Sequence, residues 1–256
     1  MPRQPDAPGP DAPAVSAPGP AAPPSDAAPP SDAAPPSAAA PSGGRLRRFT
    51  AAERWVHRST AALMGLCLVT AACLYLPPLA ELVGRRRLVV TVHEWSGILL
   101  PLPVLAGLAS RAFRADLRLL NRFGPHDRQW LRSALRRHGE RPAGKFNAGQ
   151  KLYASWTAGA ALVMVGTGLL MWFPHLAPLV WRTGATFVHD WLALAIAAVV
   201  AGHLWMASRD PEARLGMRTG TVSPGWAARE HPLWAARERA AAARPAPDGP
   251  DRSGQP

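Results

Sequence analysis

Four histidines carry the chemistry this sequence can do: His57, His93, His189 and His203. Each lies inside or at the edge of a long apolar run. An ionisable side chain in such a run marks a functional site by default, because burying it in lipid is costly. His189 and His203 share the run Thr186–Ser208 and stand fourteen residues apart. At about 100° per residue, fourteen steps fall about 40° short of four turns, so both rings share one helix face, roughly 21 Å apart along the axis. One therefore sits near each surface of a bilayer whose apolar core is about 30 Å thick. Two neutral imidazoles, one on each side of a porphyrin iron, give a six-coordinate site suited to electron transfer rather than oxygen chemistry. A single helix with one histidine per level is the arrangement expected for ligating two stacked haems b.

The elements that position these residues are four apolar spans, at about 51–76, 88–109, 152–173 and 186–208. Thr50 and Glu53 form a T-x-x-E capping box, which starts the first helix at Ala51, and Pro77–Pro78 stop it. Pro101 and Pro103 predict a kink in the second span. The fold class is therefore all-α, an integral membrane four-helix bundle. The connection 111–151 is polar and rich in arginine, with a surface helix expected around Gln129–Arg137. Residues 1–44 are nearly all Pro, Ala, Ser, Asp and Gly, with SDAAPP occurring twice from Ser25. That composition predicts disorder, and no apolar segment follows it to make a signal peptide. Residues 45–215 form the bundle and 216–256 a polar tail.

The formal net charge is +12. Basic residues flank the apolar spans, so their partner is a membrane surface, and no nucleic-acid-reading motif is present. The N-terminal flank, the 111–151 loop and the C-terminal tail are strongly positive. The opposite connections hold only Arg85, Arg86, Arg87 and Arg182. The positive-inside rule thus predicts a multi-pass protein of the inner membrane with both termini in the cytoplasm. Topology then sorts the histidines by depth. His57 and His203 pair at the inner level around one haem b, and His93 and His189 at the outer level around another. A lone membrane histidine more often serves as an interhelical hydrogen-bonding group. Four that sort by depth into pairs fit that plain role poorly. His126, His138, His175 and His231 fall in loops and tail and are expected to be solvated. Cys67 and Cys73, the two cysteines, read as small membrane-helix residues. Glu94 and Asp190 read as wetted interfacial carboxylates. Trp55, Tyr75, Trp95, Trp172, Trp191 and Trp205 read as an interfacial aromatic belt.

The segment GKFNAGQK, Gly144–Lys151, resembles a signature of the cytochrome b (gamma) subunits of respiratory formate dehydrogenases. So does the histidine order, one in each of the first two spans and two fourteen apart in the fourth. The segment GMRTGTVSPGWAAREHPLW, Gly216–Trp234, is similar to that family's C-terminal segment. The resemblance covers about residues 45–234. It implies a dihaem b cytochrome with ligands at His57, His93, His189 and His203, in agreement with the pairing from topology. It implies a quinone site beside the inner haem, bordered by His203, with Asn147, Gly149 and Gln150 at matching positions. The quinone would be menaquinone or ubiquinone. A capping role for Asn147 at the start of the third span competes with, or accompanies, that role. The resemblance implies an iron–sulfur (beta) partner outside the membrane and a molybdenum or tungsten (alpha) subunit that oxidises formate. No formate-oxidising site is expected in this chain. A complex of several subunits, and a trimer of it, follow from the same analogy. The alternative is the cytochrome b of another membrane-bound oxidoreductase, such as a nickel–iron hydrogenase. A haem-free membrane anchor or transporter is the rival of a different class.

Overall fold

The computed structural model describes residues 44–244. The expectation of disorder for residues 1–44 falls, Gly44 excepted, outside the described residues, as does the end of the C-terminal tail.

Eleven α-helices are described, with one two-stranded ribbon: β1 Leu46–Arg47, α1 Ala51–Tyr75, α2 Pro77–Val83, α3 Arg86–Leu99, α4 Leu102–Gly107, α5 Arg111–Leu120, α6 Pro125–Arg136, α7 Ala148–Trp172, α8 Leu179–Ser208, α9 Pro211–Thr219, β2 Thr221–Val222, α10 Pro224–Glu230 and α11 Pro232–Ala242. Four helical stretches among the described residues are long and apolar enough to cross a membrane: α1, α3 with α4 (Arg86–Gly107), α7 and α8. The chain is an all-α, multi-pass membrane protein. Leu66, Val69, Leu162, Leu194 and Leu204 lie exposed along the spans, as a surface turned towards acyl chains should be.

The capping box at Thr50 forms as its sequence predicts. Thr50 N–H donates to Glu53 Oε2 at 2.5 Å, and Glu53 N–H donates to Thr50 Oγ1 at 3.4 Å. The second span breaks after Leu99, because Pro101 and Pro103 supply no N–H to the helical ladder. Gly107 ends α4 against α1; a Cβ there would lie 2.6 Å from Val56 Cγ2. The fourth helix starts at Leu179, seven residues before the apolar run that marks it in the sequence. Its first two turns contain Arg182 and Thr183, which hydropathy assigns to a loop.

Helix α1 packs on α3 and α4, and α7 packs on α8, with α3 against α7 joining the two pairs. The core at mid-depth is Met64, Leu100, Ala160 and Ile196, flanked by Leu63, Leu68, Met164, Leu192 and Val200. Ile196, 2% exposed, lies seven residues from both His189 and His203. An apolar layer therefore separates the two histidine levels.

A second core forms at the end where α1 begins and α8 finishes. Val222, Trp226, Ala227, Trp234 and Ala235 cluster there, with Leu46 and Ala213 against them. The segment after Arg209, polar on average, folds into this cap, because its few large apolar residues converge. β1 pairs antiparallel with β2, Leu46 opposite Val222. Gly220 makes the pairing possible. Its φ is +90°, and its carbonyl accepts the N–H groups of Arg48 and Phe49 at 2.8 and 3.0 Å. Any side chain there would collide with Phe49 O and the Arg54 guanidinium.

His231, expected in solvent, is 2% exposed and lies inside the cap. Arg48 Nη2 donates to its Nε2 at 2.9 Å, so its Nδ1–H donates to Gly144 O at 2.7 Å. Arg48 Nη2 also donates to Lys145 O at 2.9 Å, and its guanidinium lies over Trp226 at 4.8 Å. Burial draws the Arg48 guanidinium down to about 10, against the pull of Asp210 and Asp116. Burial, then the charge of Arg48, draws His231 down to about 3. The ring is therefore neutral, and one tautomer fits both partners. N-terminal flank, inter-span loop and C-terminal segment meet at these two side chains.

Candidate functional site: two histidine pairs

The fold brings the four histidines together two at a time. His57 on α1 faces His203 on α8, with ring centres 6.4 Å apart. His93 on α3 faces His189 on α8, with ring centres 6.2 Å apart. Metal–imidazole nitrogen bonds run to about 2.0 Å, and each nitrogen lies roughly 1 Å from its ring centre, so two imidazoles on one metal need about 6 Å between centres. Both pairs meet that requirement. Among the described residues no three His, Cys, Asp or Glu side chains converge as a metal cage. Two protein ligands suit a metal whose other positions are filled by a macrocycle, so the residues present fit haem.

The His93–His189 pair is held by threonines. Thr70 Oγ1 lies 2.8 Å from His93 Nδ1, and Thr167 Oγ1 lies 2.9 Å from His189 Nδ1. Each hydroxyl donates its single proton to a helix carbonyl, Thr70 to Leu66 O at 2.7 Å and Thr167 to Val163 O at 2.8 Å. Each hydroxyl oxygen must then accept from its histidine. Both His93 and His189 are thereby fixed as Nδ1–H tautomers, with the Nε2 lone pair free for a metal. Asp190, next to His189, accepts the Tyr75 hydroxyl at 2.5 Å.

The His57–His203 pair is held differently. Tyr153 on α7 stacks on His203, with centres 4.8 Å apart and planes 17° from parallel. The threonines nearest this level, Thr60 and Thr157, have buried hydroxyls that meet no hydrogen-bond partner. Arg58 donates to Met217 O and Arg218 O at 3.3 and 3.1 Å, joining α1 to the end of α9.

Asn147, Gly149 and Gln150 open α7, on the same side of the bundle as His203. Asn147 Oδ1 accepts the Gln150 N–H at 2.9 Å, and Gln150 Oε1 accepts the Asn147 N–H at 3.0 Å. The reciprocal cap uses both side-chain oxygens and leaves both NH₂ groups as donors. A Cβ on Gly149 would stand 3.1 Å from the Trp130 ring of α6. Lys151 Nζ bonds Asp127 Oδ2 and Arg122 O, each at 2.8 Å, tying α6 to α7. The GKFNAGQK segment is thus a structural junction throughout: Gly144 O and Lys145 O hold His231 and Arg48. His138 and His175 are exposed, as expected, and His126 is half-buried beside Asp127. The threonine clamps were missed from sequence. Thr70 precedes His93 by twenty-three residues and Thr167 precedes His189 by twenty-two. That repeated offset between adjacent spans is the signal that could have found them.

The sequence profile of the prokaryotic cytochrome b561 family matches residues 48–215. The chain belongs to that family. Among relatives of this cytochrome b561 chain is the formate dehydrogenase cytochrome b556(fdo) subunit of Escherichia coli (strain K12). It is 28% identical over 196 residues, covering 73% of this chain and 90% of that protein. The formate dehydrogenase cytochrome b556 subunit of Haemophilus influenzae is 24% identical over 208 residues, covering 74% and 82%. The nitrate-inducible cytochrome b556(Fdn) subunit of E. coli K12 is 29% identical over 100 residues, covering 38% and 46%. The resemblance to formate dehydrogenase cytochrome b subunits therefore extends over most of the chain, and the protein is a membrane cytochrome b.

Proposed function

We propose that this cytochrome b561 is the membrane subunit of a formate dehydrogenase complex, carrying electrons from an outer iron–sulfur partner to quinone on the cytoplasmic side. The observation that carries this reading is the pair of histidine pairs, 6.2 and 6.4 Å between ring centres, on opposite halves of α8. Haem b at each level supplies a one-electron carrier. His93 and His189 would hold the outer haem, and His57 and His203 the inner one. The chain sets the separation, roughly 21 Å along α8, and excludes water between the levels with the Ile196 layer. Electrons enter at the outer pair, from an iron–sulfur (beta) subunit served by a molybdenum or tungsten (alpha) subunit. They leave at the inner pair to menaquinone or ubiquinone.

Quinone needs polar donors at the membrane boundary and protons from water. Asn147 and Gln150 offer free NH₂ groups there, and Gly149 lets the Trp130 ring pack closely beside them. Tyr153 lies six residues further along α7, about 9 Å deeper, and links this edge to His203. Proton uptake inside and electron movement inwards together build a membrane potential. The inner membrane, with both termini in the cytoplasm, follows from the positive flanks.

The visible spectrum of the purified chain tests this reading. Two low-spin b haems per chain are expected, and His203→Ala should remove the inner one alone. A colourless protein from haem-replete cells would refute it, and retention of both haems in His203→Ala would refute the pairing. Copurification in mild detergent should bring down a molybdenum or tungsten subunit rather than a hydrogenase large subunit.

A further inference from the structure

The cap end of the bundle buries two carboxyl groups against one ammonium. Lys145 Nζ lies 3.2 Å from Glu53 Oε1 and 2.6 and 2.7 Å from the two oxygens of Asp116. Glu53 is 7% exposed and Asp116 6%. The two carboxyl groups therefore meet at a single ammonium. Lys145 sits over the rings of Phe49 and Phe146, at 5.3 and 5.7 Å, so apolar walls surround the cluster. The other charged group bearing on Asp116 is Arg48, whose Nη2 is engaged by Lys145 O and His231. A capping box needs one oxygen of Glu53, and Lys145 alone needs one acid. Two acids share one partly buried lysine, and Arg48 is drawn on by Asp210 as well as by Asp116, so the group carries a surplus negative charge, which a low-dielectric site resists unless a proton neutralises it. Glu53 is one turn before His57, so the two side chains lie on the same face of α1.

We propose that Glu53 and Asp116 form a proton-holding pair coupled to the electron at the His57–His203 level. The proposal rests on the reading that those histidines ligate the inner haem. When an electron arrives there, the pair takes one proton from the aqueous side, turning one carboxylate into a carboxyl. When the electron leaves, that proton is released. Two such electrons and two protons convert quinone to quinol, so the pair hands on protons in step with the electrons. Asp116 is poised for this: burial, then the Glu53 carboxyl group beside it, pushes it up to about 7, with Lys145 pulling the other way.

The experiment is a spectroelectrochemical titration of both b haems in the detergent-solubilised full chain between pH 6 and pH 8. The His203→Ala variant identifies which potential is inner. In the unaltered chain the inner potential should fall as pH rises through 7, while the outer potential stays flat. Asp116→Asn should abolish the inner slope with both haems retained, and Asp116→Glu should restore it. Glu53→Gln serves if Asp116→Asn fails to assemble, and should flatten the slope likewise. An inner potential independent of pH in the unaltered chain, or a slope that survives both Asp116→Asn and Glu53→Gln, would overturn the proposal. Failure of the underlying haem reading looks different: the unaltered chain would lack the two-haem spectrum before any titration.

Discussion

The two histidine pairs have the same spacing but different surroundings. The outer rings are each locked by a threonine whose own proton goes to a helix carbonyl. The inner rings rest against Tyr153, near two threonines whose hydroxyls have no partner. The difference matches the work proposed for each level. An entry site that exchanges only electrons gains from rigid ligands of fixed tautomer, because a rigid site reorganises little. An exit site that serves a quinone needs polar groups not already committed. Thr60 and Thr157 are such groups inside the bundle, and the Asn147 and Gln150 amides are such groups at its edge.

Removing a ligand should break the comparison most severely. His93→Ala and His203→Ala should each halve the haem per chain, read from the pyridine haemochrome, and the surviving haem should differ between the two variants. The same survivor in both would mean the levels are not independent.

Acid should act on the inner end alone. The folded pKa of His231 lies near 3, below its ordinary value of about 6.5. Above pH 6.5 the ring is neutral in both folded and unfolded chains, and its contribution is fully present. Between pH 6.5 and 3 the unfolded chain binds a proton that the folded cap refuses, so stability falls by about 1.4 kcal/mol per pH unit. Hydrogen exchange should show residues 221–242 opening as pH falls through this window, while the amides near Thr70 and Thr167 stay protected. Equal opening at both ends would contradict the assignment to His231.

Threonine substitutions sharpen the comparison further. Thr167→Val and Thr70→Val remove the groups that orient the proposed haem ligands His189 and His93, a change worth about tenfold or more in affinity. Haem titration should show the outer site weakened by that factor. Thr60→Val and Thr157→Val remove hydroxyls that have no partner, so apolar replacement should be close to neutral for haem binding. A loss at the inner site equal to that at the outer site would erase the distinction drawn here. Smallest of the losses, Tyr153→Leu should loosen His203 by about 1 kcal/mol, the scale of an aromatic pair. It should shift the inner haem's absorption band and leave the outer one in place.

Much of this architecture was legible because its signals are local. Hydropathy gave four spans, the box at Thr50 gave the start of α1, and the prolines gave the break before α4. Depth along the spans paired the histidines, because a bilayer turns sequence position into height. What stayed hidden depends on residues distant in sequence. The early start of α8 was missed since Arg182 and Thr183 lower the hydropathy of turns that are nonetheless helical. His231 was read as solvated because its neighbours are polar on average. Its partners, Arg48 and Gly144, stand 183 and 87 residues away.

The sequence by itself determined a membrane bundle with histidines at two heights, because helix rise and apolar length are properties of each segment alone. Tertiary structure alone decided which imidazoles face each other at 6.2 and 6.4 Å. It also decided which threonines fix a tautomer and where two acids share one lysine. Those are distances between side chains on separate helices, and they exist only once the helices have packed.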